Sequence, residues 1–287
     1  MAPNVGKVTF LLAEMQTRIN AAGLRSFDGD VDRFAIFSLI VRESLRRNPR
    51  GKAISTHSLA ISLSRSFETV RRHVIALTEA GLCVRGQYGV LVRAEVLERP
   101  DIAAMMRLAH DSFVCFVEGL EQLGEWTGAR PAAKPYDPQV GIAASVDVML
   151  AAVDSNRNIH RNWLDLMLFS TVLYANLQRS RAAGQAFGFG PEHAVRPAAL
   201  AEAMSLPETT VRRRLKLLVE EAGSLKRVPK GYILSDAWMA QPGAAETSAR
   251  TYSNIRLIVT HAVANGFPID RPASAYIDGC PSAVQFV

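Results

Sequence analysis

Apolar residues recur along this chain at helical rather than strand spacing. Val70, Val74 and Leu77 stand at i, i+4 and i+7, and Val211, Leu215 and Leu218 repeat that spacing, which predicts amphipathic helices over 66–80 and 207–221. Helix-compatible patterns also run through 5–22, 31–47, 102–123, 142–153, 158–181 and 244–264, with short ones at 55–62 and 197–203. Strand character is confined to LCVRGQYGVLV (82–92) and SLKRVPKGYIL (224–234), each with a central glycine. They predict two hairpins, with strands at 82–85 and 89–93 and at 225–228 and 231–235. Ser205-Leu206-Pro207-Glu208 has capping-box spacing, which puts Ser205 at the N-cap of the following helix. The expected fold class is therefore mainly α.

The chain also repeats itself. Residues 59–79 align without a gap on 200–220 at an offset of 141, and nine of the 21 positions are identical, among them Thr69/Thr210, Val70/Val211, Arg71/Arg212 and Arg72/Arg213. Upstream the offset falls to 132, matching Phe37, Ser38, Leu45 and Arg47 to Phe169, Ser170, Leu177 and Arg179, so the second copy carries a longer, Gly-rich loop, AAGQAFGFGPEH. Each copy reads helix, loop, short helix, turn, helix, hairpin. The expected division is 1–123 and 142–267, two homologous units with flanking helices, joined by a linker at 124–141 with three prolines and three glycines and followed by an irregular tail at 268–287.

That layout resembles a winged helix-turn-helix, and the residues resemble the pattern of the GntR, MarR and IclR bacterial regulators. Leu59-Ala60, Leu63, Ser66, Thr69-Val70-Arg71, Leu77 and Gly81-Leu82 stand at its intervals, and Leu200-Ala201, Met204, Thr210-Val211-Arg212, Leu218 and Gly223 repeat them. The resemblance covers about 65 residues in each copy. The usual glycine of the turn is Ser64 in one copy and Ser205 in the other, and the usual apolar turn residue is Arg65 in the first. Such a resemblance implies two tandem winged-helix units that bind double-stranded DNA and regulate transcription, the later helix entering the major groove and the hairpin reaching a flank.

Helical geometry then sorts the candidate contacts. With Val70 facing the core, Arg72 lies opposite, with Arg65 nearby and Arg71 on the flank; Arg213 is its equivalent, flanked by Arg212, Thr209 and Lys216. Arg72 and Arg213 are expected to reach base edges, each with a guanidinium fork that fits guanine O6 and N7. Ser66, Thr69 and Thr210, in the first turn, suit phosphate oxygens, and Arg65 in its polar turn is expected to face phosphate too. Arg85 and Gln87 on the first hairpin, and Arg227 and Lys230 on the second, are expected to follow the backbone or the minor groove.

Charge adds an independent argument. The 287 residues carry a formal charge of only +6. Residues 31–93, however, hold 11 basic and 4 acidic residues (+7), residues 161–235 hold 11 and 6 (+5), and residues 94–160 hold 5 and 10 (−5). Positive charge lies on the two repeated modules, as a phosphate-binding surface requires. Of the 33 basic residues 27 are arginine.

Other chemistries are poorly represented. Cys83, Cys115 and Cys280 are too few and too far apart along the chain for a disulfide framework, form no C-x-x-C pair and suggest a reducing, cytoplasmic setting; Cys83 and Cys115 read as small core residues. The six histidines, His57, His73, His110, His160, His193 and His261, read as single surface or core residues without metal spacing. Phe113, Phe116 and Trp126 read as packing residues rather than the wall of an effector pocket. No P-loop, nucleophile elbow or dinucleotide fingerprint occurs, so neither an enzyme, a cofactor nor a metal is expected. The longest apolar run, 163–175, is shorter than the ~20 residues of a membrane span. Two other readings stay open, a plasmid-type replication initiator with tandem winged helices and a winged-helix protein scaffold without DNA affinity. A homodimer and a small-molecule effector held between 102–123 and 142–180 stay open as partners.

Overall fold

The computed structural model describes residues 5–45, 53–124, 134–160, 162–182 and 189–286. Trp126, half of the proposed linker and the middle of the Gly-rich loop lie outside the described residues. The chain is mainly helical with two small antiparallel sheets. Its first half runs α1 (Val5–Ser26), α2 (Val31–Leu45), α3 (Thr56–Leu63), α4 (Phe67–Glu79), β1 (Val84–Gly86), β2 (Gly89–Leu91), α5 (Ala94–Leu97) and α6 (Pro100–Gln122). Its second half runs α7 (Pro138–Asn156), α8 (Trp163–Ala182), α9 (Pro197–Ala203), α10 (Glu208–Glu220), β3 (Leu225–Val228), β4 (Gly231–Leu234), α11 (Asp236–Met239) and α12 (Pro242–Ala264), with 3-10 turns at Pro191–His193 and Pro272–Ala275. The same order of elements thus occurs twice and takes in α1/α7 and α6/α12, helices outside the stretch of sequence identity.

Local chemistry sets several boundaries. Asp137 caps α7 by accepting from Gln139 N (2.9 Å), and Pro138 takes the first helical position, where its missing N–H costs nothing. The helix therefore starts four residues before the apolar pattern alone predicts. Pro100, Pro197 and Pro242 open α6, α9 and α12 in the same way.

In both hairpins β1 pairs with β2 and β3 with β4, and a single bridge adds a third segment, Ile54 to Val90 and Val195 to Tyr232. The bridge brings the backbones so close that a Cβ at Gly89 (φ 137°) or Gly231 (φ 139°) would collide with the carbonyl of Ile54 or Val195. Each hairpin is anchored from behind at one register position. In the first half buried Ser44 accepts from Val92 N (2.9 Å). In the second, buried Asn176 accepts from Leu234 N (3.0 Å) and donates to the carbonyls of His193 (2.9 Å) and Tyr232 (3.3 Å).

The halves are joined reciprocally. α1 packs mainly on α6 and on α8 of the other half, while α7 packs mainly on α12, on α6 and on α2 of the other half. Phe10 of α1 stacks on Tyr174 of α8 (5.5 Å between centroids), and Arg42 of α2 binds Asp147 of α7 through Nε (2.6 Å). Because α8 is buried on every side from Trp163 to Leu177, it needs neighbours all round. Accordingly the buried apolar side chains of both halves form one cluster.

The 268–286 segment contains only the short turn at Pro272–Ala275, yet it is bound to the helices. Asp111 on α6, 1% exposed, accepts from the backbone N–H of Ile277, Asp278 and Gly279. This docking also brings Cys115 and Cys280, far apart in sequence, to an Sγ–Sγ distance of 2.9 Å. Separation along the chain thus does not keep this pair apart, and all three cysteines remain free.

Two outcomes follow from buried polar groups. Replacing Asn176 by Ala strands Leu234 N and two carbonyls inside the core, and should lower the unfolding free energy in urea by about 2–4 kcal/mol. His160 is buried against Phe169 (4.7 Å) with neither ring nitrogen hydrogen-bonded among the described residues, and burial pulls its pKa down to about 4. The unfolded chain then binds a proton below about 6.5 that the folded chain refuses, so stability should fall by about 3 kcal/mol from pH 6.5 to pH 4. His160→Phe should flatten that part of the pH dependence in denaturant titrations.

Candidate nucleic-acid interface

Val70, Val74 and Leu77 are fully buried, as are Val211 and Leu215, with Leu218 nearly so. The two amphipathic helices, α4 and α10, therefore turn the opposite face to solvent, as their spacing predicts. Each follows a tight turn from a shorter helix. Ser64 (φ 50°) and Ser205 (φ 51°) stand at matching positions of the two turns in the left-handed conformation that glycine adopts most easily.

This placement corrects the capping box expected at Ser205. A left-handed residue cannot serve as an N-cap, which requires extended backbone, and the N-cap of α10 is instead Pro207, without a side-chain hydrogen bond. In the first half Ser66 is extended and does cap α4, accepting from Thr69 N (3.1 Å) and contacting Thr69 Oγ1 (2.8 Å). Both hydroxyls proposed for phosphate are thus engaged with each other at the cap. Thr209 is exposed and Thr210 half-buried at the matching end of α10.

The arginines divide sharply. Arg65 turns inward to Asp32 of α2 (2.8 Å) rather than outward to solvent, since Asp32 is the nearest charge that can satisfy a half-buried guanidinium. Its counterpart Leu206 is buried, so one turn is fastened by an ion pair and the other by apolar packing. Arg71 is gripped by both oxygens of Glu68 (2.7 Å each), whose carboxyl it holds below the usual range. Arg212 binds Glu208 (2.8 Å), Arg214 reaches Asp165 (3.5 Å), and Lys216 stands 3.8 Å from Glu220. Arg72 and Arg213 are different: exposed, at equivalent positions, and without a hydrogen bond or ion pair among the described residues.

The hairpins carry exposed candidates too. Arg85 and Gln87 on the first, and Arg227 and Lys230 on the second, are all exposed. Residues not singled out in the sequence join them: Tyr88 at the first hairpin tip (70% exposed), Phe67 at the start of α4 (51%), Ile61 on α3 (60%), and the exposed Lys226. For Ile61 alone a signal was readable, because it stands opposite Leu59 and Leu63 on the helical period, whereas Phe67 falls on the apolar side of α4 and Tyr88 lies outside any helix. Without the fold, nothing separated the latter two from core positions.

Two further spaces lie away from α4 and α10. Phe113 and Phe116 are buried in the core, and the pocket beside α6 and α7, lined by Met105, Met106 and Ile142, encloses only about 30 Å³. It has room for about one water molecule and not for an effector. A larger open cleft of about 770 Å³ lies between α1, α6, the end of α9 and residues 278–285. No group of three or more His, Cys, Asp or Glu among the described residues is placed to hold a metal ion, and no described helix is long and apolar enough to cross a membrane.

Comparison with protein-family models, curated proteins and solved structures found no match to this chain.

The two caps offer a direct check on the local geometry. Ser66→Ala removes the only side-chain cap of α4 and should destabilise the chain by about 1 kcal/mol, whereas Ser205→Ala, which caps nothing, should leave helix capping unchanged. Urea titrations of the two variants separate these outcomes.

Proposed function

We propose that this chain is a sequence-specific double-stranded DNA-binding regulator of transcription, with α3, α4 and β1–β2 forming one winged-helix unit and α9, α10 and β3–β4 the other. One observation carries the reading. On each of two equivalent helices a single arginine, Arg72 or Arg213, is exposed and unpaired among the described residues while its basic neighbours are held by glutamates or aspartates. A free guanidinium fork on the outward face of such a helix suits a guanine edge in the major groove, and its paired neighbours line the flank as positioned charge. The exposed hairpin residues Arg85, Gln87, Arg227 and Lys230 suit the adjoining backbone, and the +7 and +5 segments supply the attraction to phosphate.

On this reading the chain is a binding protein of the cytoplasm and nucleoid rather than an enzyme. The two readers belong to one chain whose halves pack reciprocally, so one chain spans two half-sites and each unit raises the local concentration of the other. The half-sites need not be alike, because Glu68 and Ile75 in α4 stand where α10 has Thr209 and Lys216.

Selection of bound fragments from genomic DNA, followed by anisotropy titrations over a range of salt, tests the proposal. Affinity should fall steeply as salt rises. Arg72→Ala and Arg213→Ala should each cost about 1–3 kcal/mol at the selected site and much less on unrelated DNA. Absence of binding at low salt, or variants that discriminate as well as the parent, would sink the reading and favour a protein-docking scaffold.

A further inference from the structure

Asp111, Cys115 and Glu118 follow one another at helical spacing on α6, and all three meet the C-terminal segment. Asp111 takes the three backbone N–H groups described above, and Glu118 accepts from the Tyr276 hydroxyl (2.7 Å). Between these anchors the Sγ atoms of Cys115 and Cys280 lie 2.9 Å apart across 165 positions of sequence. Arg18 of α1, 7% exposed, donates to Cys115 Sγ (3.3 Å), to the Ser282 carbonyl (3.2 Å) and to Glu14 (3.0 Å). Cys280 is exposed and borders the 770 Å³ cleft, which leaves it open to small solutes. The third cysteine, Cys83, is buried beside Thr78 in the first half's helix-and-hairpin unit.

We propose that Cys115 and Cys280 are an oxidation site for hydroperoxides, closing into a disulfide that fastens the C-terminal segment to α6. The exposed Cys280 reacts first. Its thiolate attacks a peroxide oxygen, the O–O bond breaks, and the departing hydroxide or alkoxide takes up a proton, leaving Cys280 as a sulfenic acid. Cys115 then attacks that sulfur as its thiolate; the S–O bond breaks and the hydroxide leaves as water with the Cys115 proton. Two thiols thus lose two protons and two electrons, and hydrogen peroxide becomes two waters.

The roles of the two sulfurs follow from their surroundings. Burial, together with the neighbouring Cys280, pushes the Cys115 thiol up to about 11, which disfavours it as the first nucleophile. It suits the resolving step, in which its partner is already in contact and the Arg18 guanidinium faces the charge that forms. The anchors at Asp111 and Glu118 hold the segment in register, so little motion is needed to close to a bond of about 2.0 Å.

The consequence reaches the other half. Beyond Cys280 the segment continues to α8, where Gln178 donates to the Val284 carbonyl (3.4 Å), Arg179 donates to the Phe286 carbonyl (3.2 Å), and the Phe286 ring packs on Tyr174 (5.9 Å). A bond at Cys115–Cys280 therefore strengthens a strap from α6 of one half to α8 of the other. It also closes a very long loop, the case in which a cross-link restricts the unfolded chain most.

This inference stands apart from the DNA reading, and its test uses no nucleic acid. The full chain is treated with hydrogen peroxide, alkylated, and examined by intact mass and peptide mapping. The expected product has lost two hydrogens, joins the peptides of Cys115 and Cys280, leaves Cys83 alkylated, reverts with dithiothreitol and melts several degrees above the reduced protein. Cys280→Ser, at an exposed position, should abolish both the link and the shift in melting temperature, as should Cys115→Ser, while Cys83→Ser should keep them. Over-oxidation of Cys280 without a link, a disulfide between two chains, or a link that leaves the melting temperature unchanged would overturn the proposal.

Discussion

Burial of α8 is the constraint on which the rest of the structure depends. This helix is buried around its whole circumference from Trp163 to Leu177, and no one neighbouring helix could remove it from water. It is covered by α10, the second hairpin and, from the other half, α1. The corresponding α2, buried from Phe34 to Phe37 and again from Leu39 to Val41, receives α7 in the same exchanged manner. Neither half could close its core alone without exposing the central helix that its hairpin and amphipathic helix lean on. The two halves are therefore one folding problem, although the repeat in the sequence suggests two.

That exchange also sets where the outward faces lie. α4 packs on α2 and α3, and α10 on α8 and α9, so each outward helix is carried by the central helix of its own half. Each central helix is in turn held by the first helix of the other half. Further contacts join the turns across the boundary: Arg157, at the end of α7, donates to the carbonyl of Ser62 on α3 (3.2 Å). The positions of Arg72 and Arg213 relative to one another are thus a property of the shared core and not of a flexible tether.

Much of the local structure was legible because its causes are local. The i, i+4, i+7 spacing placed Val70, Val74 and Leu77 in the core and Arg72 outside, and the hairpin stretches were located within about two residues. The repeat even preserved a detail that the pattern did not flag: Ser44 and Asn176 occupy the same register and satisfy the same hairpin N–H with different side chains. The errors were of another kind. Ser205 was assigned a cap from its spacing, but backbone conformation, set by the packing of α9 on α10, decided against it. Arg65 is expected to face phosphate, and its guanidinium is held by Asp32, 33 positions earlier, a partner that local spacing does not show.

The sequence by itself determined the class of the fold, the duplication, the faces of the two amphipathic helices and the segregation of charge, because each is set by periodicity or composition over a short window. Tertiary structure alone decided which helix covers which, which arginines remain unpaired, and that Cys115 meets Cys280. Each of these depends on side chains brought together from distant parts of the chain, and contact at a distance of 165 positions leaves no mark in local spacing.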